Sequence, residues 1–405
     1  MSNQEEENRV LPRRELLKNM AVLAGVSALG TLSVASASQV KKKKVEYLFH
    51  DSHVHLTSYV QKGTTAKSFL KIMGDKVGRS TLFGLPLQQQ WTFVNSFDDE
   101  PTYYLDSDAK MYYYSFVDAI IAHEYNTLNE EEKERFDPMI TGFNPNDMYA
   151  VEHIKRLLKM YPNTFVGLGE FSIHKEFVSS KIQGASAVLM SKSLDSILKF
   201  AGEAGLPVIF HNDIDTPMNN RTQLPSYAKQ MYRLLKRHKN TTIIWAHTGL
   251  GRTVSPRQRD SIEGSKRNPS HLDMIERTLE NKGLKNLHYD ISWDVVAKYI
   301  TASPESLQNA AKIINKYPDR FLFGTDMVAP KKENYFEVYD MYDPLFDLLT
   351  PEASEMLRLT NYERIFDRAK KDVANWEEAH KNEHYLAGID SQDEEAFDTH
   401  KHYHA

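Results

Sequence analysis

"YLFHDSHVHL", residues 47 to 56, is an apolar run that closes on a pair of histidines, His53 and His55. Side chains at i and i+2 of a β-strand point to the same face. At the end of a strand both imidazoles therefore reach one point in space. A metal ion is one occupant for that point. A chance pair on a wet loop is the other reading, and the rest of the chain has to separate the two.

The stretches that follow repeat the arrangement. "FVGLGEF" brings up Glu170, "LPVIFHND" His211, "TTIIWAHTGLG" His247, "NLHYDIS" Asp290 and "RFLFGTDM" Asp326. The steps between these residues are 41, 36, 43 and 36. One strand, one helix and their loops take up about that length, and a (β/α)8 barrel needs roughly 30 residues per unit before insertions. In that fold the strands' C-terminal ends converge on one mouth. A lone histidine or carboxylate at a strand end is usually a buried hydrogen-bonding group or a helix cap. His-x-His followed by Glu, His, His and Asp at even spacing is a metal-ligand pattern. The fold class expected is α/β, a (β/α)8 TIM barrel.

Amphipathic stretches lie between these runs. Residues 148–162 place Val151, Ile154, Leu157 and Leu158 on one helical face before Pro162. Residues 194–207 close with Gly205 and Pro207, a helix stop. "RFDPMITGFNP" (135–145) is expected as the third strand and "MYYYSFVDAII" as the second. The stretch 57–110 is too long for a single crossover. It is expected to be an insertion after the first strand that covers the barrel mouth.

Composition narrows the chemistry. The chain of 405 residues has room for one large domain or two ordinary ones. It contains no Cys, which excludes disulfides, thiolate metal sites and a thiol nucleophile. Any metal must be held by His, Asp or Glu. A net charge of −5 gives no basis for a nucleic-acid partner.

The N-terminus reads as an export signal rather than as fold. Arg13 and Arg14 precede an apolar stretch from Met20 to Val34, and Ala35, Ser36 and Ala37 follow as a small-residue cleavage site. "PRRELLK" resembles a twin-arginine signal, with Pro12 and Leu16 departing from its usual residues. The apolar run is short of the ~20 residues that a membrane span needs. The expected layout is a signal peptide over 1–37, a basic linker over 38–44, the barrel over 45–380 and a polar tail over 381–405. That tail carries His400, His402 and His404. The mature protein is then periplasmic, with no stable membrane insertion.

The motifs "DSHVHL", "GLGEF", "VIFHND", "AHTGLGR" and "FGTDM" together resemble the amidohydrolase superfamily, in its amidohydrolase-related (amidohydrolase 2) branch. "NYERIFD" near residue 361 resembles that branch's closing helix. The resemblance implies that His53, His55, His211 and Asp326 hold a divalent metal. It implies that His247 binds a second ion or polarises the substrate, and that Glu170 joins or bridges metals. Zinc suits this donor set, with manganese or iron as alternatives and one or two ions. Asp326 and His247 are then the catalytic pair. Asp51, Asp213 and Asp290 are candidates for orienting the ligands, and Lys175, Arg252 and Trp293 for holding an anionic or aromatic substrate. The expected activity is hydrolysis of a C–N or C–O bond in a small organic molecule. The alternatives are a metal-dependent decarboxylase of an aromatic or unsaturated acid and, third, a non-enzymatic metal-binding protein. A homo-oligomer is compatible with all three.

Overall fold

The computed structural model describes residues 46–96, 100–175, 177–184, 187–214, 226–252 and 271–386. The export signal and the His-containing end of the tail lie outside these residues. Eight parallel strands run in chain order around one sheet. They are β1 (Phe49–Asp51), β2 (Val77–Leu82), β3 (Phe136–Ile140), β4 (Gly167–His174), β5 (Val208–Asn212), β6 (Ile243–Trp245), β7 (Leu287–Asp290) and β8 (Phe321–Leu322).

The two edges of this sheet meet. Ser52 N donates to Phe323 O at 3.0 Å. Beyond it, Val54–His55 pairs in parallel with Met327–Val328, and Asp326 N donates to His53 O at 2.9 Å. The continuations of β1 and β8 thus close the barrel, as the strand spacing anticipated.

Helices return the chain between strands. Ala150–Met160 falls inside the stretch read as helical over 148–162, and Lys192–Ala204 begins two residues before the one read over 194–207. The second ends at Gly205, whose φ of 76° is the left-handed turn that glycine adopts without strain. Inside the barrel, Phe83, Met139, Ile209, Ile244, Ala246 and Leu322 form a core. Tyr362, Ile365 and Phe366 of the closing helix Asn361–His380 complete it. Asn361 is fully buried and its amide donates to Pro318 O and Phe321 O, at 2.7 and 2.8 Å.

The second strand and the insertion need correction. The second strand is Val77–Leu82, and the insertion follows it instead of the first strand. Within 57–110 lie the first crossover helix, Ala66–Met73, and β2 itself. "MYYYSFVDAII" splits into a short strand, Met111–Tyr113, and the start of the helix Phe116–Asn126. That short strand pairs antiparallel with Leu87–Gln89, outside the barrel. The reason is packing. β2 reads "VGRSTL", with apolar residues only at its ends, because its middle meets polar or tight surroundings. Arg79 reaches Asp137, Ser80 and Thr81 are fully buried, and a Cβ on Gly78 would lie 2.2 Å from the His50 ring.

The hairpin from the insertion makes a cover. Tyr59, Leu85, Leu87, Tyr104, Met111, Val178 and Ile182 pack into a cluster of their own. Lys181 donates to Tyr104 O and Ser107 O, and the Gln89 amide donates to Ser107 O at 2.9 Å, which ties the cover down.

Candidate metal centre

Each strand end delivers its side chain by local geometry. His53 lies in the step between β1 and its continuation Val54–His55, and His55 ends that continuation. Glu170 does not end its run, since β4 continues to His174. The register between β4 and β5 shifts between Leu168 and Phe171, around Glu170. His211 is the penultimate residue of β5. His247 follows β6 with φ 54°, and Asp326 follows β8 with φ 56°.

These side chains converge. His53, His55, Glu170 and Asp326 offer ligand atoms that all lie within 4.8 Å of one another, and Glu170, His211 and His247 do the same. His55 Nε2 is 3.1 Å from Glu170 Oε2 and 3.4 Å from Asp326 Oδ1. His53 Nε2 is 3.3 Å from Asp326 Oδ1 and 3.9 Å from Glu170 Oε2. On the other side of the same carboxylate, Glu170 Oε1 is 2.7 Å from His211 Nδ1 and 3.6 Å from His247 Nε2. Glu170 therefore stands between two clusters. The set His53, His55, His211 and Asp326 does not come together as one shell: Glu170 takes the fourth place beside the first pair.

The far ring nitrogens are anchored. His53 Nδ1 donates to Asp290 Oδ2 at 3.0 Å and His55 Nδ1 to Gly84 O at 3.2 Å, which turns each Nε2 lone pair toward the centre. His211 Nε2 meets Asp213 Oδ1 at 2.8 Å. Ser292 Oγ donates to Asp290 Oδ1, so it accepts from His247 Nδ1–H at 2.9 Å. Asp51 is a linker of strands rather than a ligand support alone. It accepts from His53 N at 3.1 Å, Thr325 Oγ1 at 2.7 Å and Tyr335 Oη at 2.8 Å. Gly84, Ser292 and Thr325 were not among the residues expected here. A carbonyl and two hydroxyls carry no spacing signal.

Charge follows from these contacts. Burial alone would raise the Asp326 pKa, but the neighbouring imidazoles of His247, His55 and His53 outweigh it and hold the carboxyl below its usual range. Burial likewise opposes ionisation of Glu170, and Lys175 with His211 and His247 reverses it. Lys175 is buried 3.5 Å from Glu170 Oε1; against the effect of burial, that carboxylate raises its pKa well above the ordinary value. His247 is lowered, chiefly by burial, and stays neutral.

The residues fit a divalent cation. Buried polar atoms find partners as a rule, yet His53 Nε2 and His247 Nε2 are buried without a hydrogen-bond partner, and both face the carboxylates. Aromatic and cationic groups stand around them. Trp293 lies 5.2 Å from the His247 ring. The Arg252 guanidinium lies 5.0 Å above Trp293 and also donates to Tyr103 Oη. No helix among the described residues is long and apolar enough to cross a membrane.

Among solved structures, the chain is similar to a putative 2-pyrone-4,6-dicarboxylic acid hydrolase from Pseudomonas putida, at 13% identity and TM-score 0.47, over 80% of this chain and 99% of that one. It is similar to an amidohydrolase from Burkholderia multivorans with bound zinc, at 13% identity and TM-score 0.46, over 79% and 99%. A third is a 4-oxalomesaconate hydratase from Rhodopseudomonas palustris, at 14% identity and TM-score 0.44, over 83% and 100%. No curated protein matches the sequence. The family model described as Amidohydrolase matches residues 50–368, most of the chain and every residue of the centre. The chain belongs to the amidohydrolase family, whose members are hydrolase-type barrel enzymes that use divalent metals on small molecules.

Proposed function

We propose that this enzyme hydrolyses a C–N or C–O bond, of amide, ester or lactone type, in a small organic substrate. The observation that carries the reading is the placement of Asp326. Its Oδ1 faces His53 and His55, while Oδ2 lies 3.9 Å from His247 Nε2. One oxygen is directed at the ligands and the other toward His247, which leaves it available to a water held between the two. His53, His55, Glu170 and Asp326 would hold the ion, and zinc suits two imidazoles with two carboxylates. When bound, the ion supplies Lewis acidity, polarising a carbonyl and bringing a water's pKa to about 7.

The chain's own groups handle the proton. Asp326 Oδ2 takes it from the attacking water and returns it to the leaving group. His247 is neutral with its proton on Nδ1, so its Nε2 accepts. That lone pair can accept a hydrogen bond from the attacking water and hold it in line with the scissile bond. Trp293, Tyr103 and the cover exclude bulk water and shape the pocket. Arg252 and Lys175 favour a substrate with an anionic group.

Turnover in 18O-labelled water tests the reading. A hydrolase places one solvent oxygen in the acyl product. Release of carbon dioxide with a solvent hydrogen, and no solvent oxygen, in the product would make the enzyme a decarboxylase instead. We further propose export by the twin-arginine route with cleavage near Ala37. Replacing Arg13 and Arg14 with Lys should leave the precursor in the cytoplasm, and normal periplasmic accumulation would reject that route.

A further inference from the structure

Two ligand clusters flank Glu170, which invites a two-ion centre. One residue stands against it. Lys175 follows β4 directly, and its ammonium is 3.5 Å from Glu170 Oε1, the oxygen that also faces His211 Nδ1 and His247 Nε2. The residue is only 8% exposed. Its backbone is fixed on both sides, with Lys175 N donating to Ser179 Oγ at 2.9 Å and Ser179 N donating to Lys175 O at 2.8 Å. An ammonium has three donors and no lone pair, so it cannot ligate a metal. It can only occupy a cation's place.

We propose that the centre holds a single divalent ion among His53, His55, Glu170 and Asp326, and that the Lys175 ammonium takes the position beside Glu170 Oε1 that a second ion would need. The proposal rests on the metal-dependent reading above.

Charge bookkeeping favours it. Two carboxylates face the inner space, Glu170 and Asp326, with a joint charge of about −2 when ionised. Asp290 is engaged by His53, His247 N and Ser292, and Asp213 by His211. One divalent ion with Lys175 leaves the pocket modestly positive, suited to a hydroxide or an anionic substrate. A second divalent ion would add two further charges within contact distance of a fixed ammonium. Burial strengthens that repulsion, because water is not there to screen it. His211 and His247 are then free of ligation duty. His211 is held between Glu170 and Asp213, and the His247 Nε2 lone pair is left to accept a hydrogen bond from water or substrate.

The test counts ions and needs no substrate. The purified enzyme is saturated with Zn2+, freed of unbound metal by gel filtration and analysed by mass spectrometry of the metal. The expected result is one ion per chain. Lys175→Met keeps the length and removes the charge, and it should approach two ions per chain. Lys175→Arg keeps the charge and should stay at one. Two ions in the unaltered enzyme overturn the proposal, whether or not any variant folds. A folded Lys175→Met protein that still takes one ion overturns the role of the ammonium. No ion in the unaltered enzyme overturns the metal-dependent reading itself, and this proposal with it.

Discussion

Asp290→Asn changes one atom and should loosen the metal. In the native protein Asp290 only accepts hydrogen bonds. Oδ2 takes His53 Nδ1–H at 3.0 Å, and Oδ1 takes His247 N–H at 2.8 Å and the Ser292 hydroxyl. All of these groups are buried. An amide can accept at only one end. If its NH2 faces His53, the imidazole must move its proton to Nε2, where the lone pair for the ion has to be. If its NH2 faces His247 N–H, two donors oppose each other without water to relieve them. Either arrangement carries a cost of about 1–3 kcal/mol, from opposed buried donors in the second and from a proton in the ion's place in the first. In the first arrangement that cost falls on metal binding, as a loss of about 10–100-fold in affinity. Competition against a chromophoric chelator measures it. The loss should also exceed any change in the melting temperature of the metal-free protein. An affinity within about twofold of the native value would refute the claim that Asp290 fixes the His53 tautomer.

Other perturbations read other parts of the structure. Asp326→Asn keeps an oxygen for the ion but loses the base, so turnover per bound metal should fall by ~10²–10⁴, the usual loss for a general base; turnover per bound metal within about twofold of the native value would rule out Asp326 as the base. Asp137 is fully buried under Arg79 and Lys370, whose charges outweigh burial and lower its pKa. Its stabilisation is therefore complete above the unfolded carboxyl value near ~4 and is lost as pH falls through the lower folded value. Asp137→Asn should cost about 3 kcal/mol at neutral pH and flatten that acid limb, as followed by urea unfolding from pH 2 to 7. At position 326, Gly should give a more stable metal-free protein than Ala by roughly 0.5–1 kcal/mol, the reverse of the order at ordinary sites; Ala matching or exceeding Gly in urea would show that the backbone there is unstrained.

The barrel was legible because its signals are local and repeated. Apolar runs ending in ligand residues, set about one βα unit apart, read directly as strands converging on a mouth. The failure at β2 has the opposite cause. Its fitness as a strand comes from partners far away in sequence: Asp137 for Arg79, and the His50 ring over Gly78. Meanwhile "MYYY" has the residue types of a strand and does form one, but in a cover outside the barrel. Propensity identifies a pleated segment and not the sheet it joins. The centre shows the same division. All six expected ligand residues come together, because histidines and carboxylates announce themselves. Their grouping around Glu170 was hidden, because it depends on which ring nitrogen faces which oxygen.

Backbone strain marks the same site, in residues that give no hint of it in the sequence. His247, Trp293 and Asp326 have φ of 54°, 79° and 56°, and Thr248 follows at 56°. None is glycine, and each such residue costs about 1–2 kcal/mol. They follow β6, β7 and β8 in turn, where the chain must leave the barrel wall and still aim a side chain across its mouth. Specific bonds hold His247, Trp293 and Asp326 in place. His247 N is bound by Asp290 Oδ1 at 2.8 Å, Asp326 N by His53 O at 2.9 Å, and Trp293 N by Thr325 O at 3.4 Å. Two of these three bonds involve the groups that orient His53. The strain at His247 and Asp326 and the direction of the His53 lone pair are therefore one structural arrangement. A change at Asp290 acts on both, which is why its effect should reach beyond a single hydrogen bond.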